Sequence, residues 1–259
     1  MAEMTKRQVA FRADFRRRIS SWYAGIGHVF MIYAIGIAGI VYFVRQVASP
    51  AWYEWLIVPA AFVVANVFEW WIHRYVMHRP RKDPFNFCMG IYRRHTLAHH
   101  QFFTYEEPSL DAHRDFRIVF FPPYALMAFI LVSAVPAFIL NTIGFPDAGW
   151  LLLTTNTFLY LNYELFHYCC HVKDDRLVKH IPFVNTIRRH HIAHHHTGLM
   201  MEKNFNLTYP IADCLFHTSD LDRSLLGHVF NGYNTKYVKT HDRQVRGTVD
   251  DPSVGAVRA

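Results

Sequence analysis

Long uncharged apolar stretches, separated by short polar segments, organise the chain. From Ile19 to Val44 the notable polar side chains are Ser20, Ser21 and His28, and from Ile118 to Pro146 there is no charge at all. Both runs exceed the roughly 20 residues that a helix needs to cross a hydrocarbon core. Two further runs, Trp55 to Phe68 and Ala148 to Tyr163, reach full length only by continuing through Glu69 to Ile72 and through Glu164 to Cys170. They predict two more spans, provided each carboxylate sits near an interface or faces protein. In lipid, short of a closed barrel, only helices satisfy the backbone internally, so the pattern predicts an all-α integral membrane fold with four transmembrane helices. Trp22, Trp52, Trp55, Trp70, Trp71 and Trp150 fall near the predicted span ends, where an interfacial aromatic belt belongs. Pro122 and Pro123 are expected to open the third span, and Pro136 to kink it. One membrane domain is expected over residues 1–240, followed by a polar, unstructured tail at 241–259.

Charge adds an orientation. The formal net charge is +7, and the basic residues alternate between the segments that the spans separate. Lys and Arg number six in residues 1–22, one in 45–54, eight in 74–117, none in 141–149 and twelve from 168 onwards. By the positive-inside rule both termini and the 74–117 loop are cytoplasmic. The basicity therefore reads as topology and anionic-headgroup contact, and no nucleic-acid partner is expected. The four cysteines, Cys88, Cys169, Cys170 and Cys214, form no C-x-x-C and are expected as free thiols.

Histidine supplies the chemistry. Twelve of the 18 histidines stand in four clusters: His73-x4-His78, His95-x3-His99-His100, His167-x3-His171 and His190-His191-x2-His194-His195-His196. The topology puts all four on the cytoplasmic side. Residues three or four apart share a helix face, which pairs His167 with His171, His95 with His99, and His191 with His194 or His195. His78 is off the face of His73, and His100 off the face of His95, so His99 and His100 could serve different ions. A pile of charged imidazoles would repel itself, whereas neutral ones can share a metal. About ten ligands are too many for one ion and fit two. Asn66 and Glu69 share a stripe with His73, and Glu164 shares one with His167 and His171; a carboxylate one turn behind a ligand can orient it. His28, His113, His180, His217, His228 and His241 read as ordinary interfacial or surface residues.

At these clusters the chain resembles the membrane fatty acid hydroxylase and sterol desaturase superfamily, and within it the fatty acid 2-hydroxylases that lack a cytochrome b5 domain. The stretch Glu69-Trp-Trp-Ile-His-Arg-Tyr-Val-Met-His78 looks like the first histidine box with its flanks, and Arg189-His-His-Ile-Ala-His-His195 like the last. Phe120-Phe-Pro-Pro123 and Asp213-Cys-Leu-Phe-His-Thr218 match flanking segments, so the likeness covers roughly 60–220. It implies as metal ligands His73, His78, His95, His99, His100, His167, His171, His191, His194 and His195. Glu69, Glu164, Asn66 and Asp213 are the candidates for supporting them. His190 and His196 remain outside the implied set.

The resemblance further implies a cytoplasmic helical cap carrying two non-haem iron ions, which zinc could replace in a purified sample. It implies O2 as co-substrate, a lipid substrate, and electrons from a separate electron-transfer protein. Phe102, Phe103, Tyr105, Phe166 and Tyr168 are candidates for walling the lipid path. A desaturase on the same site is the alternative chemistry, and a metal-transporting membrane protein is the alternative class. The compact chain, without a Lys-Asp-Glu-Leu-type ending, favours a bacterial inner membrane over the endoplasmic reticulum.

Overall fold

A computed structural model describes residues 4–246. Its long elements are all helical, and among the described residues the sole β feature is an isolated bridge between Leu221 and Val238. An N-terminal helix α1 (Lys6–Arg18) precedes α2 (Gly25–Gln46) and α3 (Ile57–Ile72). A long connecting segment then carries α4 (Phe87–Arg94). The helical pair α5 (Pro123–Thr142) and α6 (Pro146–His171) follows, then α7 (Val184–His194) and α8 (Thr240–Arg246).

Three segments are long and apolar enough to cross a membrane: Gly25–Gln46, Glu54–Met77 and His113–Thr142. Their outward faces carry exposed Phe30, Ile37, Val41, Val64, Leu131 and Phe138, an arrangement that suits lipid and not water. The fourth expected span, α6, has the length at 26 residues, but Asp147, Asn156, Asn162, Glu164, His167 and His171 dilute its apolar character. Packing explains the difference. Helix α6 lies against α2, α3 and α5, so most of its surface meets protein. Pro123 opens α5 as expected, and α5 continues through Pro136 to Thr142.

The α5–α6 approach is close. A Cβ on Gly149 would lie 2.7 Å from the backbone oxygen of Ala137. Small residues are what allow helix backbones to approach this far inside a membrane. At the same end, acidic side chains replace the missing basic ones as loop ties: Asp147 accepts from the backbone N–H of Ala48 and Ser49 (2.9 and 3.1 Å), and Glu54 from Ala51 and Ala148 (2.9 and 3.1 Å).

Two sequence expectations change. The tail expected from residue 241 instead begins as α8, anchored where Arg246 meets Asp220 at 2.7 Å; residues 247–259 lie outside the described residues. Nor does an ordinary α-helical turn set His78 off the face of His73. Residues His73–Met77 form a π turn in which the His78 N–H reaches the His73 carbonyl (3.2 Å). A second π turn spans His95–His99.

Gly149→Ala should destabilise the fold by about 1–3 kcal/mol, because the methyl has backbone and not a flexible side chain in its way. Thermal unfolding in detergent checks this; an unchanged midpoint would contradict the close approach.

Candidate metal centre

The C-terminal ends of α3 and α6 deliver the first ligand candidates. His73 is the residue after α3, and His167 and His171 occupy the last turn of α6. Helical periodicity serves the α6 pair directly, as it does His191 and His195 at the end of α7. The two π turns serve the rest. Closing the turn over five residues rather than four brings His73 with His78, and His95 with His100, onto common faces, which a 3.6-residue period places apart. That corrects the expected pairing of His95 with His99: the second π turn sends them to opposite groups.

The resulting arrangement is two groups of imidazoles. His73, His78, His95, His100 and His194 form one, with candidate ligand atoms all within 4.8 Å of one another; His99, His167, His171 and His191 form the other to the same limit. His195 joins the second group, its Nε2 3.2 Å from that of His99 and 3.1 Å from that of His191. Further Nε2 separations run from 2.9 Å (His73 to His95, His78 to His194) to 3.3 Å (His167 to His99). All ten residues are buried. His190 and His196 lie outside both groups: His190 Nε2 donates to Asp213 at 2.9 Å, and His196 packs its ring against Tyr105.

Hydrogen bonding fixes which nitrogen is bare. Carbonyl oxygens only accept, so an imidazole bonded to one must carry its proton on the bonded nitrogen. His73 Nδ1 donates to the Phe205 carbonyl, His194 Nδ1 to Lys203 (2.8 Å), His171 Nδ1 to Pro108 (2.7 Å) and His195 Nδ1 to Phe103 (2.8 Å). Thr96 donates its hydroxyl to the Met77 carbonyl (2.7 Å) and so accepts from His78 Nδ1 (3.3 Å). Five imidazoles therefore turn an unprotonated Nε2 inward. Lone pairs packed near 3 Å apart repel unless a cation stands among them. Ligand nitrogens at about 2.1 Å from an ion, in right-angled arrangement, are themselves about 3.0 Å apart, so the observed spacing fits a metal.

Burial pushes the imidazoles of His78, His95, His99, His100, His191, His194 and His195 well below their usual range, and neighbouring imidazoles push most of them in the same direction. They stay neutral, as metal ligands must.

The supporting residues act differently from expectation. Glu69 and Glu164 orient backbone and not imidazole: Glu69 accepts from the N–H groups of Leu207 and Thr208 and from the Thr208 hydroxyl, and Glu164 from the Phe121 N–H (3.1 Å). Asn66 bridges to Tyr209 (2.8 Å) and Ala212 (3.0 Å). Together Glu69 and Asn66 tie the 205–212 segment to α3. Asp213 is the nearest to an orienting carboxylate. It accepts from His190, from the Phe205 and Asn206 N–H groups (3.0 and 2.6 Å) and from Thr218 (2.6 Å), thereby setting the Phe205 carbonyl that orients His73. Burial alone would raise the Asp213 carboxyl; the His190, Thr218 and backbone donors hold it below the usual range.

A narrow cleft opens onto both groups through His95, His99 and His167. Its other walls are Met77, Ile91, Ile118, Val119, Phe121 and Tyr163, with one charged side chain, Arg94. The aromatic residues expected to wall a lipid path do not line it. Phe102 and Phe103 are core, with the Phe103 ring stacked on His171 at 4.0 Å, and Phe166 packs in a separate apolar cluster. Sequence reading also missed Gln8 and Arg12. Both are buried and reach the loop that carries the Phe103 and Pro108 carbonyls. Their signal was the i, i+4 stripe Gln8, Arg12 and Arg16 inside a leader whose charge served only the topology argument.

The model for the fatty acid hydroxylase family matches residues 58–218, more than half of the chain. The chain belongs to the fatty acid hydroxylase family. No curated protein and no solved structure matches it.

Two outcomes check the site. His191→Ala should lower bound metal per chain, while His196→Ala should leave it at the wild-type value; metal analysis of detergent-purified protein reads both, and equal loss would contradict the partition. The metal-free protein should also lose stability as pH falls. Below about pH 6.5 the unfolded chain takes up protons that the depressed imidazoles refuse, so acid favours unfolding. An unfolding temperature that rises between about pH 7.5 and about pH 5.5 would contradict this sign.

Proposed function

We propose that the protein is a membrane-embedded, non-haem di-iron oxygenase that hydroxylates a C–H bond in the apolar part of a lipid, using O2 and electrons from a separate donor. The observation that carries this reading is the convergence of ten neutral imidazoles as two adjacent groups, five of them with tautomers fixed so that a bare Nε2 faces inward. His73, His78, His95, His100 and His194 would hold one ion, and His99, His167, His171, His191 and His195 the other. An all-nitrogen donor set suits iron as well as zinc.

Bound iron ions would supply the redox chemistry that no side-chain acid or base offers an unactivated C–H bond. In the net reaction one oxygen atom of O2 enters the C–H bond and the other leaves as water, consuming two electrons and two protons. The chain's part is placement. Val119, Ile118, Ile91 and Met77 give the cleft an apolar wall that favours a hydrocarbon segment and disfavours bulk water. His95, His99 and His167 bring both groups to that wall, so the substrate carbon would lie beside both ions.

The topology supports access from the bilayer. With four spans and the basic segments inside, the ligands would lie at the cytoplasmic ends of α3 and α6 and in a helical cap over them. A metal transporter is expected to bind near the membrane midplane at broken helices, which speaks against that reading. A desaturase would use the same site and differ in where the substrate carbons are held.

Lipid mass spectrometry of cells making the wild type should show a lipid gaining one oxygen atom, labelled when heavy-isotope O2 is supplied and absent with His191→Ala. A lipid losing two hydrogens instead would move the assignment to desaturation, and no change would overturn the oxygenase reading. Val119→Leu, which narrows the cleft by one methylene, should lower the product while leaving bound metal unchanged.

A further inference from the structure

The N-terminal helix α1 lies outside residues 58–218, yet it reaches the metal centre through main chain. Arg12 is 1% exposed. Its Nε donates to the Phe102 carbonyl (2.8 Å), its Nη2 to the Glu107 carbonyl (3.0 Å), and its Nη1 to Asp111 (3.0 Å). Gln8 Nε2 donates to the same two carbonyls, at 3.0 and 2.9 Å. The guanidinium also lies over the Phe102 ring, 4.7 Å from its centroid. The next carbonyl after each clamped one is a histidine acceptor: Phe103 for His195 and Pro108 for His171. Both histidines belong to the second group. In the first group the known Nδ1 acceptors are Phe205, Lys203 and Thr96, none of which α1 touches.

We infer that Gln8 and Arg12 are positioning residues for the second metal, holding the 102–108 loop so that its two carbonyls fix the tautomer and aim of His171 and His195. The inference rests on the dimetal reading above. Charge is not the operative feature. Arg16 carries the same charge on the same helix face and is committed to Asp111 and Asp115 at 2.7 Å each, with no contact to the clamped carbonyls. A partner that orients a ligand from outside the coordination shell changes metal affinity about 10–100-fold when removed. Because the imidazoles that this loop's carbonyls orient, His171 and His195, both belong to the second group, the loss should fall mainly on one ion of the two.

The test is a cobalt(II) titration of the full-length protein in detergent against a competing chelator, followed by the visible bands of the bound ion. The wild type should take up two ions per chain. Arg12→Ala should keep the first at wild-type affinity and bind the second about 10–100-fold more weakly. Gln8→Ala should do the same to a smaller extent and covers the case in which Arg12→Ala fails to fold. Arg16→Ala should leave both affinities unchanged. In a His73→Ala background, which disables the first group, the one remaining ion should be the one that Arg12→Ala weakens. Two unchanged affinities in both Arg12→Ala and Gln8→Ala would overturn the clamp, as would an equal loss in Arg16→Ala. A wild type that binds fewer than two ions would overturn the dimetal reading itself.

Discussion

Inward-facing imidazole nitrogens share one buried volume, and for five of them the ring proton sits on the far nitrogen. Where Nδ1 is engaged with a carbonyl or with Thr96, the opposite nitrogen is a lone pair, and in the His78–His194 contact two such lone pairs face each other at 2.9 Å. A cation between them relieves that repulsion. Much else in the fold serves this constraint. Helices α3 and α6 end where ligands are needed, and two π turns rephase His78 and His100. The loops at 102–108 and 203–206 are pinned so that their carbonyls, not side chains, set the imidazole orientation.

The second layer is mostly main chain, so its strength lies in how firmly the loops are held. Glu69, Asn66 and Asp213 fix the 205–213 segment, and Gln8 with Arg12 fixes 102–107. The Arg189–Asp220–Arg246 cluster does similar work behind α7, where burial would raise the Asp220 carboxyl but the two guanidiniums hold it low. These charges are buried and paired, and removing one partner would strand the other.

The membrane class, the helical class and the clusters were legible because they follow simple rules: uncharged run length, and three- or four-residue spacing on a helix. His167 with His171, and His191 with His195, come together as that spacing dictates. His73 with His78, and His95 with His100, do not, because a π turn leaves no mark in a 3.6-residue pattern. The acceptors were also out of reach, since a carbonyl has no identity in a sequence and Pro108 or Lys203 gains its role only from the path of the chain. Glu69 and Glu164 stood on the expected stripes, yet their oxygens meet loop N–H groups first. Arg12 was obscured by its neighbours, since Arg16, Arg17 and Arg18 explain a basic leader without it.

The central claim is that two ions sit among ten imidazoles. X-ray absorption at the metal edge, combined with metal counting on the purified protein, tests it most directly. The account predicts two ions per chain, a first shell of nitrogen or oxygen without sulfur, and strong outer-shell scattering from several imidazoles on each ion. One ion or none per chain, a sulfur-containing shell, or a shell with few imidazoles would contradict it.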